Sequence, residues 1–115
     1  MRRYRIRRAA DVAHDLDLIE GHLVQIYQDL GDAPESAMGR AAARIGECLA
    51  YMRTFEDHPW RGTEHPHIRP GIRTVTSKRF IFYFEIDEPL GEVRILAVFF
   101  GGVDHRQQIQ DRLRH

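Results

Sequence analysis

The feature that most constrains this chain is one change of hydrophobic period near residue 71. Before it, Ala9, Val12, Ala13, Leu16, Ile19, Leu23, Ile26 and Leu30 recur at spacings of mostly three and four, which puts them on one stripe of a helix. Asp11, Asp15, Asp17 and Glu20 fall largely outside that stripe, and Gly31 ends the helix. Asp32-Ala33-Pro34-Glu35 opens a second helix: Asp32 is placed to cap the free amides, Glu35 to reach back, and Pro34 to occupy a first turn where its missing donor costs little. Ala37, Ala41, Ile45, Cys48, Leu49, Met52 and Phe55 form its apolar stripe, and His58-Pro59 stops it. The short link at Gly31-Asp32 makes the helices antiparallel neighbours.

After the change, residues 72–76, 79–87 and 92–100 are rich in Ile, Val, Thr, Phe and Tyr, the composition of strands. Ser77-Lys78 and Glu88-Pro89-Leu90-Gly91 read as hairpin turns, which predicts an antiparallel meander. On its middle strand Phe80, Phe82, Phe84 and Ile86 share one face, and Ile81, Tyr83 and Glu85 the other. At the start of the chain Tyr4 and Ile6 alternate with arginines, a strand with one buried face. Gly101-Gly102 breaks the last strand, and Asp104 is placed to cap a short helix through Leu113. Residues 57–71 hold three prolines and three histidines and read as a loop. The predicted class is α+β, in the order β-α-α-β-β-β-α.

With 115 residues, this is one domain, 1–115, large enough to bury its own core. Cys48 is the only cysteine, which excludes a disulfide framework and a four-cysteine zinc site. No apolar run reaches the roughly 18 residues of a membrane span, and Met1 leads into charge rather than a signal-peptide core. The expectation is a soluble cytoplasmic protein without membrane contact. Charge balances to zero overall but is segregated: residues 1–8 carry five arginines, while residues 9–57 hold ten acids against Arg40, Arg44 and Arg53. An arginine block on a strand attracts nucleic acid only where its members share a face, and no sequence-reading DNA element is visible.

His58, His65 and His67 with Asp57 invite a zinc reading, but their spacing matches no known ligand motif, and neither metal nor cofactor is expected. Trp60 is expected to fold back over the core. His105 follows the double glycine and titrates near neutral pH, which suits an acid or base. Arg73 and Arg79 flank the first hairpin, where guanidinium groups suit phosphate or an acidic partner.

Taken together, Tyr4-Arg5-Ile6, Ala10 with Asp15-Leu16 and Ile19, Pro70-Gly71-Ile72-Arg73, Arg79-Phe80-Ile81-Phe82-Tyr83, and residues 94–102 followed by Asp104-His105 resemble the RelE/ParE superfamily of type II toxin–antitoxin toxins. The resemblance covers almost the whole chain. It implies an N-terminal strand and helical hairpin packed on an antiparallel sheet, and a cognate antitoxin as partner, in a complex that can be of higher order. It also implies one of two activities. ParE-like proteins inhibit DNA gyrase, are not enzymes, and are neutralised by ParD-like antitoxins. RelE-like proteins are mRNA interferases that act on the ribosome with basic residues of the sheet and a C-terminal tyrosine or histidine. Aligned by motif, the sheet arginine that follows the hairpin turn in RelE falls at Phe80, and the basic residue after the last strand's glycine falls near Val103. These departures favour the ParE-like branch. The alternative is an endoribonuclease whose remaining catalytic candidates are Arg73, Lys78, Arg79 and His105. Candidate partner contacts are Arg69, Arg73, Arg79, Ile81, Tyr83 and Arg94. Ile81 and Tyr83 are expected on a sheet face left partly bare, because Ile109 and Leu113 are few to cover it.

Overall fold

A computed structural model describes residues 2–102 and 104–114. The elements are β1 (Arg5–Arg8), α1 (Asp11–Asp29), α2 (Pro34–Arg53), β2 (Thr63–Glu64), β3 (Arg73–Ser77), β4 (Phe80–Asp87), β5 (Glu92–Phe100) and α3 (His105–Leu113). A single 3-10 turn, Thr54–Glu56, carries buried Phe55 beyond α2. No described helix is long and apolar enough to cross a membrane.

The α+β class and the order of the main elements are as the residues predict, but the sheet is mixed. Its strands run β1-β5-β4-β3-β2, with β1 parallel to β5 and every other pair antiparallel. The difference traces to β2, whose two residues lie in the stretch expected to be loop. That strand adds one reversal of the chain before the meander, and with it β5 emerges in the direction of β1. The β3–β4 turn sits one residue later than expected: Lys78 and Arg79 both take positive φ, at 50° and 73°, the two left-handed positions of a tight hairpin.

Three expected local features, two helix caps and one loop contact, are absent. At α2 the cap residue is Ala33, with no side-chain cap bond. Asp32 is instead engaged by Arg40, whose Nη1 donates to its Oδ2 at 2.7 Å, because a charge-assisted bond outcompetes a neutral amide for the carboxylate. Asp104 does not cap α3 through its side chain either. Trp60 stands out at 58% exposure; the place over the core is taken by Arg61, which lies over the rings of Tyr51 and Phe55.

The sheet divides two apolar layers. On the helical-hairpin side Phe80, Phe82, Phe84, Val93, Ile95 and Val98 pack against Val12, Leu16, Ile19 and Leu23 of α1 and Ala41, Cys48 and Met52 of α2, with Phe55. On the other side Ile72, Ile81, Tyr83, Leu96, Ala97 and Ile109 are all buried together. A β-bulge creates this second layer: Tyr83 pairs with Ala97 and Phe84 with Ile95, so Leu96 is the extra residue. Strict alternation would send Leu96 and Ala97 to opposite faces; the bulge turns both toward α3.

The expectation of a bare face at Ile81 and Tyr83 is therefore corrected. Both side chains are buried, Tyr83 completely. Ile109 and Leu113 are not alone in covering them, since Ile68 and Ile72 from the loop before β3 close the same layer.

Candidate functional site

What clamps α3 to α1 and the sheet is an ion pair between Asp15 and Arg112. Strand β1 stops at Arg8, and the last backbone bond along its edge runs from Ala9 N–H to the Ile95 carbonyl. Beyond that point β5 has an open edge. Asp15, only 5% exposed, stands in for the missing strand. Its Oδ2 accepts the Val98 N–H at 3.0 Å and Arg112 Nη1 at 2.9 Å, and its Oδ1 accepts Arg112 Nη2 at 2.6 Å. Arg112 Nη1 also donates to the Leu96 carbonyl at 3.3 Å. The bond to Asp15 raises the Arg112 pKa above its ordinary value. Asp15 is thus a buried clamp residue, although the sequence reading places it largely outside the apolar stripe.

Clamped this way, α3 presents His105 to the sheet beside a second histidine. Thr74 on β3 lies directly across from Tyr83 on β4. Each hydroxyl carries an imidazole: His65 Nε2 lies 2.8 Å from Thr74 Oγ1, and His105 Nδ1 lies 2.7 Å from Tyr83 Oη. The cross-strand pair therefore sets the two imidazoles side by side on the α3 face. His67 packs its ring against His65 at 5.7 Å. Burial holds the pKa of His105 below the ordinary imidazole value, and the charge of Arg106 adds to the effect. His65 is lowered for the same two reasons, with smaller contributions from His67 and His105. Burial pushes the Tyr83 phenol upward. Both imidazoles are thus favoured in the neutral form, with a guanidinium close by. Among the described residues, no three His, Cys, Asp or Glu side chains converge to hold a metal ion.

The other candidates do not join this cluster. Since Thr74 faces α3, the alternation of β3 turns Arg73 to the opposite side, where Nε donates to the Arg61 carbonyl at 3.0 Å. Lys78 donates to Glu47 Oε2 on α2 at 2.7 Å. Arg79 lies over the ring of Phe100, which packs in the helical-hairpin layer. Arg73, Lys78 and Arg79 are thereby separated from His105 by the thickness of the sheet. Farther along the α3 face, Arg69 donates twice to Glu85 Oε2, at 2.9 and 2.6 Å, and Arg94 lies 3.8 Å from Glu85 and 3.7 Å from Asp87. These two guanidiniums are engaged with carboxylates of their own sheet. Val103 lies outside the described residues.

Arg112 and Thr74 carry no role in the sequence reading, Asp15 enters it only outside the helical stripe and in the family resemblance, and His65 only as a metal candidate. For Asp15 a signal existed: it lies three residues after Val12 and four before Ile19, both buried. Thr74 and His65 gave none, because their meeting depends on the β3–β4 register and on β2.

Solved structures share this architecture. A chain from the chromosomal ParDE toxin–antitoxin system of P. aeruginosa superposes with a TM-score of 0.56 at 22% identity, covering 86% of this chain and 97% of that one. A chain of the toxin–antitoxin complex RelBE2 from Mycobacterium tuberculosis superposes with a TM-score of 0.51 at 15% identity, covering 85% of this chain and 98% of that one. No protein-family model matches the sequence, and no curated protein matches it. Its helical hairpin, its meander and its agreement with both structures over nearly their full lengths give the chain the RelE/ParE fold.

Proposed function

We propose that this chain is the toxin of a type II toxin–antitoxin system, of the ParE-like kind that inhibits DNA gyrase in the cytoplasm and is neutralised by a ParD-like antitoxin. The observation that carries the ParE-like reading is the division of the charges. Cleaving RNA through its 2′-hydroxyl needs a base, an acid and a cation converging on one phosphate. Here Arg73, Lys78 and Arg79 lie across the sheet from His105, and Arg73 and Lys78 are already hydrogen-bonded within the chain. Arg69, Arg73, Arg79 and Arg94 are the polar candidates for contact with a partner; Ile81 and Tyr83 reach one only if α3 moves. A supercoiling assay with purified gyrase tests the proposal. Inhibition by stoichiometric protein supports it, and full supercoiling at excess protein alongside translation arrest rejects it.

A second reading, the ribosome-dependent mRNA interferase, draws support from the paired imidazoles of His65 and His105 beside Arg106. In that case an in vitro translation reaction yields cut messages, and His105→Ala abolishes the cutting. Intact messages on active ribosomes reject it.

A further inference from the structure

We infer that the arginine-bearing end of the sheet, on the face that α3 only partly covers, grips the phosphate backbone of duplex DNA without reading its sequence. The inference goes beyond the toxin–antitoxin reading and does not depend on it.

The pairing of β1 decides what the N-terminal arginine block does. Ile6 packs in the helical-hairpin layer with Val93 and Ile86, so Arg5 and Arg7, Glu92 and Arg94, and Glu85 and Asp87 turn to the other face. Arg5 and Arg7 therefore share a face, which is the condition for such a block to attract nucleic acid. The register adds a third arginine, since Arg7 lies directly beside Arg94 of β5. Like charges side by side on neighbouring strands cost stability, so folding alone gives no reason for this pair. The apolar layer under α3 lies farther along the strands, at Tyr83, Leu96 and Ala97, and leaves these arginines in solvent.

Height above the sheet decides which charge the face presents. The side chains of Arg5 and Arg7 are 72% and 66% exposed, while that of Glu92 between them and the sheet is 12% exposed. The ion pairs are also loose. Arg7 Nη1 lies 3.9 Å from Glu92 Oε1, and Arg94 lies 3.8 Å from Glu85 and 3.7 Å from Asp87. These separations exceed hydrogen-bond range, and the buried Glu92 Oε1 accepts no hydrogen bond among the described residues. Arg61, Arg73 and Lys78, by contrast, have donors taken up by carbonyls or by Glu47. The recessed carboxylates thus offset charge from below and leave the forks of Arg7 and Arg94 open to phosphate.

The rest of the face selects the occupant. Among the described residues it projects no large apolar side chain, Leu90 standing in the turn at its border, so it lacks the apolar centre of a protein interface. Nor does it carry an aromatic ring on which unpaired bases could stack. A duplex backbone needs neither, and fits a flat array of open guanidinium groups. Arg69 is not counted among them, because it donates twice to Glu85.

The test titrates the full chain into a short labelled DNA duplex and follows fluorescence anisotropy between about 50 and 200 mM salt. Three phosphates neutralised by Arg5, Arg7 and Arg94 give a slope of about −2.7 in log K against log salt, a fall in affinity of about 40-fold over that range. Arg7→Gln and Arg94→Gln are each expected to reduce the slope by about one and to weaken binding equally on unrelated sequences. Arg53→Gln removes the same charge from exposed α2 and is expected to leave the slope unchanged. No binding at about 50 mM salt, or a slope that survives both face substitutions, overturns the inference and leaves the toxin reading standing. Tighter binding to the single strand of the same sequence, or to a polyglutamate peptide, also overturns it and assigns the face to unpaired nucleic acid or to an acidic protein.

Discussion

Replacing Arg112 by methionine keeps most of the side-chain stem and removes the guanidinium that binds Asp15. The carboxylate is 5% exposed, and of its three bonds only the one from Val98 N–H survives. Removing one partner of a buried ion pair costs about 3–5 kcal/mol. The Arg112 side chain is 26% exposed, so water reaches its end of the pair, which places the expected loss at the low end, about 3 kcal/mol. For a chain of this size that corresponds to a fall in Tm of about 12 °C, at about 4 °C per kcal/mol. Urea unfolding of the parent, Arg112→Met, Asp15→Leu and the double variant completes a thermodynamic cycle. The double variant has no orphaned carboxylate, but the Val98 N–H and Leu96 carbonyl lose their partners. It is expected to lose less than the sum of the single variants, with a coupling of at least about 1 kcal/mol. A loss below about 1 kcal/mol for Arg112→Met, or strict additivity, refutes the clamp.

Three other outcomes follow from the geometry. His65 and His105 are both held below the ordinary imidazole value of 6.5, so on acidification the unfolded chain takes up protons first. Stability is therefore complete above that value and is lost as pH falls through it toward the folded-state values; urea midpoints across this window should rise with pH, and the slope should flatten in His65→Gln/His105→Gln. Burial pushes the Cys48 thiol up to about 12, so a thiol reagent in mildly alkaline buffer should modify it only after urea unfolds the chain; rapid labelling of the folded protein contradicts this. Gly62 has φ +74°, and a Cβ there would press on the Thr74 carbonyl, so Gly62→Ala should cost more than about 1 kcal/mol in the same urea assay.

The two helical stripes were legible because each spans several turns and each is bounded by a residue with a physical reason to stop or start a helix. Gly31, at φ +109°, does end the first, and Pro34 does open the second. The alternation of Phe80, Phe82 and Phe84 against Ile81 and Tyr83 was legible for the same reason: a period of two leaves no ambiguity about which side chains share a face. The double glycine and the short final helix were in the residues as well. The candidate site was only partly so. His105 could be singled out by its place after Gly101-Gly102, but neither its partner Tyr83 nor its neighbour His65 could be assigned to it.

What the residues by themselves determined, then, is the set of main elements, β2 apart, and most of the apolar face of each, since both depend on neighbours a few positions apart; Ala13 and Leu30, placed on the first stripe, are exposed. Only the tertiary structure decided the direction of β1 against β5, the side on which Arg73 lies, and the burial of Asp15. Each of those turns on contacts between distant parts of the chain. A two-residue strand adds a reversal, a bulge at Leu96 shifts every later side chain by one position, and Asp15 is buried because Arg112, 97 residues away, comes to meet it. Local periodicity sets Asp15 beside buried neighbours but carries no record of the partner it meets, because such meetings are settled by how the layers close on one another.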